Sequence, residues 1–335
     1  MRVCASIVFA GLLLAGNSRG QSTTTPFDLT VSTPKGTSAW FMETLEQVYD
    51  TKSGELTIAT KLIVHRAFRV SVRSVMKSGH RVVEVAVVRV HGSLEVGTED
   101  QPLEFDSATP SPPADQEGSG QVAQPVLAML AHADKKFITR IDANGRVVGS
   151  LTALVSKLGR DAPDLSGSEG SLRQLAESAF GRLPKSPVAI GAQWQHQRED
   201  SAHQLPIKQQ VTVTLRASDA DAFTLSFDGK ITPGEPVPPE LPDSMPEEVR
   251  ASMTAELIKM QEEMEIQGDK LRGEQRVSRA DGLVEHSEVV IDADVRMTHD
   301  RVPMDTKVKL TTTLRRTTEK EARPPKKAKP ADGGR

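Results

Sequence analysis

Apolar positions recur at every second residue through much of this chain, a period that marks strands with one covered face. Leu62 and Val64, then Phe68, Val70 and Val72, keep it. The turn Lys77-Ser78-Gly79-His80 follows, and Arg81 to Val90 is rich in Val, so the two segments read as a hairpin. Lys135 to Ser150 reads as a second hairpin around Asp142-Ala143-Asn144-Gly145, where Asn-Gly takes positive φ at low cost. In the second half Val211, Val213 and Leu215 alternate, as do Phe223, Leu225 and Phe227. Strands resume at Glu274 to Arg279, turn at Ala280-Asp281-Gly282, and continue through Val289, Ile291, Ala293, Val295 and Met297. A last strand sets Val308, Leu310 and Leu314 on one face and Lys307 and Lys309 on the other.

Three stretches change to a helical period. Leu151, Leu154, Val155 and Leu158 share one face before Gly159, and Leu172, Leu175, Ala176, Ala179 and Leu183 share another before Pro184. The third follows a run with six prolines over residues 233–246. Ser244 can cap it and Glu247 completes a capping box. There Val249, Met253, Leu257, Met260 and Met264 fall within an arc of about 80°, and Gly268 ends the helix, expected over 245–267. The Pro- and Gly-rich residues 106–125 read as a surface loop.

The halves echo each other. Gly36-Thr37-Ser38-Ala39-Trp40 and Gly191-Ala192-Gln193-Trp194 each open a β segment, followed by a hairpin, a Pro-rich insertion and a second hairpin. The turns at Asp142–Gly145 and Ala280–Gly282 occupy matching places, at an offset of about 140–155 residues. Duplication accounts for this, and so does the chance likeness of two β segments. The expected fold is α+β: antiparallel and β-sheet-rich, with two similar curved-sheet, half-barrel-like units and helical insertions. The units are expected over 36–183 and 184–316, after a linker at 21–35 and before a disordered basic tail at 317–335.

Composition narrows the compartment. After the short positive stretch Met1-Arg2, Val3 to Ala15 is nearly all apolar, the length of a signal core and too short for a membrane span. Ser18 and Gly20 are small, so residues 1–20 are expected to be a signal peptide cut between Gly20 and Gln21, giving a secreted or periplasmic protein. The one cysteine, Cys4, leaves with that segment, which excludes disulfides and Cys-based zinc sites in the mature chain. Loss of Arg2 and Arg19 leaves 40 basic residues against 45 acidic, a net of −5, too balanced for nucleic acid as the main partner. The basic tail from Arg315 to Arg335 either contacts an anionic polymer or lipid head group or is an inert solvated terminus.

No segment carries a catalytic or nucleotide motif. The eight histidines, His65, His80, His91, His132, His196, His203, His286 and His299, show no His-Glu-x-x-His spacing. Asp292, Asp294, His299 and Asp300 are the densest candidate metal cluster, but the two aspartates lie opposite Ile291, Ala293 and Val295 and read as a solvated face. Asp142-x-Asn144-Gly145 opens like a calcium loop, yet Arg146 takes the next ligand place, so it reads as a turn. Ser166-Gly167-Ser168-Glu169-Gly170 reads as a connector, and Glu84, Glu104 and Asp106 have no spacing that pairs them for acid–base work. No catalytic residue, metal ligand or cofactor is expected.

Three segments carry a family resemblance: Phe105-Asp106-Ser107 before the Pro/Ser loop, the Asp142–Gly145 turn, and Leu183-Pro184-x-x-Pro187-Val188-x-x-Gly191-x-x-Trp194. On these the chain resembles DUF6263, a family of uncharacterised exported bacterial proteins of planctomycete type, over roughly residues 36–316. The resemblance implies an exported β-rich protein and no known activity. More distantly, curved sheets with helical insertions resemble the half-barrels of periplasmic lipoprotein carriers.

The leading functional expectation is an exported non-enzymatic protein that holds an apolar ligand, lipid or lipoprotein-like, between sheet and helix. The residues expected to bind it are Val249, Met253, Leu257, Met260 and Met264, since Met-rich faces adapt to varied apolar partners. The same stripe could simply complete the core. The alternative is an envelope interaction or structural module without a small ligand; a hydrolase of unknown type comes third.

Overall fold

The computed structural model describes residues 26, 29, 33–97, 102–109, 130, 133–154, 169–184, 186–200, 207–236, 246–299 and 302–323. Among them, twelve strands form one antiparallel, open and curved sheet. The first half supplies β1 (Ser38–Ser53), β2 (Leu56–Val75), β3 (Arg81–Val96), β4 (Leu103–Asp106), β5 (Lys136–Ile141) and β6 (Val147–Ala153). Helix α1 (Glu169–Ser178) follows. The second half supplies β7 (Gln193–Asp200), β8 (Ile207–Ser218), β9 (Ala222–Pro233), helix α2 (Glu247–Glu262), β10 (Glu265–Ser278), β11 (Val284–His299) and β12 (Val302–Thr317), before the short helix α3 (Glu319–Ala322).

The strand order is β6-β5-β3-β2-β1-β12-β11-β10-β9-β8-β7, with β4 also on β3. The chain starts at the centre and meanders out to β6. It crosses by α1 to the opposite edge and meanders back until β12 pairs with β1, from Trp40↔Thr317 to Ser53↔Met304. The first and last strands are therefore the central seam, and the fold is α+β as the alternation predicts.

Along β1 the inner positions Ala39, Phe41, Glu43, Leu45 and Gln47 are buried, and the residues between them are partly exposed. Two core clusters result. One lies on the first half and includes Phe41, Phe68 and Phe137; the other lies on the second half and includes Val211, Phe223 and Leu225. Helix α1 packs Leu172, Leu175, Ala176 and Ala179, spaced i, i+3, i+4 and i+7, into the first. Its C-terminal end ties two hairpin turns together. The Gly181 N–H donates to the Gly282 carbonyl (3.2 Å), the Val284 N–H to the Ala179 carbonyl (3.0 Å), and the Val147 N–H to Glu177 Oε1 (2.9 Å).

The halves also match in hydrogen-bond detail. Gly36 (φ 90°) and Gly191 (φ 88°) each sit in a conformation that L side chains resist. The N–H of each donates to the carbonyl of the same place in the next hairpin, Val72 and Leu215. One residue further on, β2 bulges at Arg73 and β8 at Arg216. Counting along the ladders from there, Phe68 corresponds to Val211, Phe137 to Gly273 and Thr139 to Gln275.

Several expectations change. Leu151 lies in β6, not in a helix, because the Asn144-Gly145 turn sends the chain back along β5 with Ile138 opposite Thr152; Val155 and Leu158 lie outside the described residues. Short apolar runs fit either period, and pairing decided this one. Helix α2 is shorter than 245–267: Pro246 precedes its first residue without a side-chain cap, and Ser244 lies outside the described residues. Gly268 does not end it but sits in a bulge of β10 at φ 62°. Within the expected linker, Leu29 is buried in the second core and the Thr33 hydroxyl donates to the Asp281 carbonyl (2.6 Å). The tail starts ordered: Thr318 and Glu321 form a capping box, Ala322 is buried and the Arg323 guanidinium lies 5.6 Å from the Trp40 ring centroid. Residues 324–335 lie outside the described residues.

Candidate functional site

Where the two cores fail to merge, a cavity of about 80 Å³ remains between α1 and the concave face of the sheet. The apolar part of its wall includes Val211 of β8, Phe227 of β9, Leu271 of β10, Ile291 of β11 and Leu310 of β12. Polar groups converge on it from three directions: Gln174, Ser178 and Arg182 on and after α1, Gln209 and Gln275 on β8 and β10, and Glu43 on β1. Glu43, Gln209 and Gln275 point inward because they occupy the same alternate strand positions as the apolar residues.

Polar groups inside a sheet must be paired. Arg66 Nε donates to Glu43 Oε2 at 2.6 Å, and both residues are buried. The Arg182 N–H donates weakly to Gln275 Oε1 at 3.5 Å, and the Arg182 guanidinium lies 5.8 Å from the Phe227 ring centroid. A cavity of this size has room for on the order of five water molecules beside the polar part of its wall.

The five residues expected to bind an apolar ligand lie elsewhere. None lines this cavity. Helix α2 buries none of its residues; Arg250, Thr254, Leu257, Ile258 and Gln261 form its half-buried face, and Val249 (46% exposed) and Met253 (37%) point away from the protein. Met260 is half-buried, while Met264 falls after the helix and joins the second core. The expected stripe is thus split between solvent, helix flank and core.

A second cluster lies on the outer face of the first half, where the register aligns Thr44, His65, His91 and Asp106 across β1 to β4. The imidazoles of His65 and His91 have centroids 4.8 Å apart and an interplanar angle of 34°. Thr44 Oγ1 is 3.0 Å from His65 Nδ1. Arg89 holds Asp106 through two hydrogen bonds, Nε to Oδ1 (3.2 Å) and Nη2 to Oδ2 (2.7 Å). An open cleft of about 440 Å³ borders His91, with Arg89, Glu104, Phe105, Asp106 and Thr109 around it. Partial burial, then the charge of Arg89, pushes the pKa of both histidines below the ordinary value. The Arg89 hydrogen bond lowers Asp106. Sequence spacing could not reveal this pair; the turn at 76–80 and the bulges of β2 and β3 between it and the pair set its register.

The remaining candidates are structural. Asp142 Oδ1 accepts from the N–H of Asn144 (2.8 Å) and of Arg146 (2.9 Å), which makes a turn. Glu84 is held by Arg69 and Arg73. Asp292 and Asp294 are exposed opposite Lys309 and Lys307. Asp300 lies outside the described residues. Among the described residues no three His, Cys, Asp or Glu side chains converge on a metal position. No helix among them is long and apolar enough to cross a membrane.

Fold and interior define a β-rich protein whose single curved sheet encloses a helix and a small polar cavity. Residues 164–273, about a third of the chain, match DUF6263, a family of unknown function. That segment holds α1, β7 to β9, α2 and the start of β10, and with them Gln174, Arg182, Gln209, Val211, Phe227 and Leu271 of the cavity wall. No curated protein matches the chain. Six solved chains do. One, from a structure described as lipid–protein interactions in lipovitellin, is 8% identical with a TM-score of 0.47, over 86% of this chain and 26% of that one. The chain therefore spans about a quarter of that protein's length. Another, a β-barrel-like protein of the family DUF1849 from Brucella abortus, is 10% identical with a TM-score of 0.16, over 83% of this chain and 98% of that one.

Proposed function

We propose that this chain is an exported, non-enzymatic interaction module of the envelope that works through its surface and not through an enclosed ligand. The observation that carries the reading is the size of the interior cavity. About 80 Å³ is several-fold below the roughly 300–1,000 Å³ of ordinary small-molecule sites. Helix α2 supports it: an inserted helix that buries no residue and presents Val249 and Met253 outward adds little to the core and offers a surface. The basic residues after Arg323, among them Lys326, Lys327 and Lys329, add a salt-screened attraction to anionic polymers or lipid head groups.

The carrier reading stands second, favoured by the polar groups that converge beside an apolar wall. It requires an apolar ligand to part α1 from β8 to β12. Native mass spectrometry and lipid extraction of the full chain purified from its own envelope separate the two readings. The interaction module predicts the mass of the processed chain alone. An apolar molecule at stoichiometric amount overturns that reading and establishes the carrier.

A further inference from the structure

We propose that His65 and His91 form a binding site for one late first-row metal dication, Cu²⁺, Ni²⁺ or Zn²⁺, on the outer face of β2 and β3. The two residues are direct register partners, the relation that brings side chains on one sheet face to about 4.5–5.5 Å at Cβ. Their ring centroids are already 4.8 Å apart. Metal–imidazole bonds of about 2.0–2.1 Å let two nitrogens sit up to roughly 4.2 Å from each other. The χ2 torsion of histidine is soft, so the His91 ring can turn toward His65 without moving the backbone.

The surroundings prepare the pair. Thr44 holds Nδ1 of His65, so with Nδ1–H donating to the hydroxyl, Nε2 keeps a free lone pair; such partners fix the tautomer of metal-binding histidines. Arg89, whose charge opposes a cation here, is paired with Asp106. The cleft beside His91 leaves room for water to complete the coordination sphere, and Glu104 supplies negative charge at its rim. Imidazole donors favour these ions over Mg²⁺ or Ca²⁺.

The test titrates the full chain with CuCl₂, NiCl₂, ZnCl₂ and MgCl₂ separately in a non-chelating buffer, read by calorimetry. Saturable binding of one equivalent of at least one of the first three is expected, with none for Mg²⁺. His65→Gln and His91→Gln should each lower the affinity at least tenfold, Thr44→Val by about 10- to 100-fold, and His80→Gln not at all. Nitrogen NMR of the wild-type chain gives a second readout that needs no variant: the diamagnetic Zn²⁺ should shift two imidazoles together. Absence of binding, or binding that survives His65→Gln together with His91→Gln, overturns the site.

Discussion

Where the first half of the sheet carries Phe137, the second half carries Gly273; where the first carries Phe68, the second carries Val211. In the first half, Phe41 and Phe68 stack with centroids 5.3 Å apart and Phe137 joins the same core, all three fully buried. In the second half, the corresponding layer borders the polar cavity. One strand plan thus supports two interiors, because strand pairing is carried by the backbone and side-chain volume is free to differ. The glycine has its own cause. A Cβ at Gly273 would overlap the Glu288 carbonyl oxygen, so β10 and β11 approach too closely there for any side chain.

The largest effect expected from this contrast is at Phe137. Phe137→Ala should cost about 3–5 kcal/mol, since it opens in the packed half a void that neighbours cannot fill. Urea unfolding measures it, and a loss below 1 kcal/mol would mean the first half is no better filled than the second. Gly273→Ala comes next. Although its neighbours Leu271 and Gln275 line the cavity, it should destabilise by about 1–3 kcal/mol, because the methyl meets backbone and not space. A stabilised variant in the same assay would show that the strands are not pinched.

A smaller effect belongs to the outer face of the first half, which has the stacked histidines. Burial and Arg89 lower the pKa of His65 and His91 in the folded chain, so below about pH 6.5 the unfolded chain binds more protons. Their contribution is whole above that value and is lost as the pH falls through it toward the lower folded values. Solvent screening at these half-exposed rings keeps it under about 1 kcal/mol. Comparing unfolding midpoints at pH 7.5 and 5.5 for the wild type and for the variant with both histidines changed to Gln isolates it. An equal pH dependence in the two proteins would refute it. The smallest effect is at Met253 on α2: Met253→Ser should change stability by no more than about 0.5 kcal/mol. A loss above 2 kcal/mol would mean that the helix closes the core after all.

Much of the sheet was legible in local pattern. Val211, Val213 and Leu215 point inward as their alternation requires, and Asp142–Gly145 turns where Asn-Gly sits. The echo between Gly36 and Gly191 was visible as two short glycine segments and proves to be one hydrogen-bond arrangement used twice. Helix α2 spans 247–262 where 245–267 was expected, and its apolar residues share no single covered face, because Val249, Ala251, Met253, Ala255, Leu257, Ile258 and Met260 spread around its circumference. No stripe dominates, and contact with the protein chose the side bearing Arg250, Thr254 and Leu257. Neither cluster described above could be found from spacing. The cavity draws on strands more than 200 residues apart, and the His65–His91 pair depends on register across β2 and β3.

By itself the sequence determined the strands, the hairpin turns and the buried stripe of α1, since each rests on periodicity and turn chemistry acting within a few residues. Only the tertiary structure decided that β1 and β12 form the central seam, that α1 packs into the first core, and that a cavity is left beside it. These depend on pairing and packing between segments far apart along the chain, where no local preference distinguishes one partner strand from another.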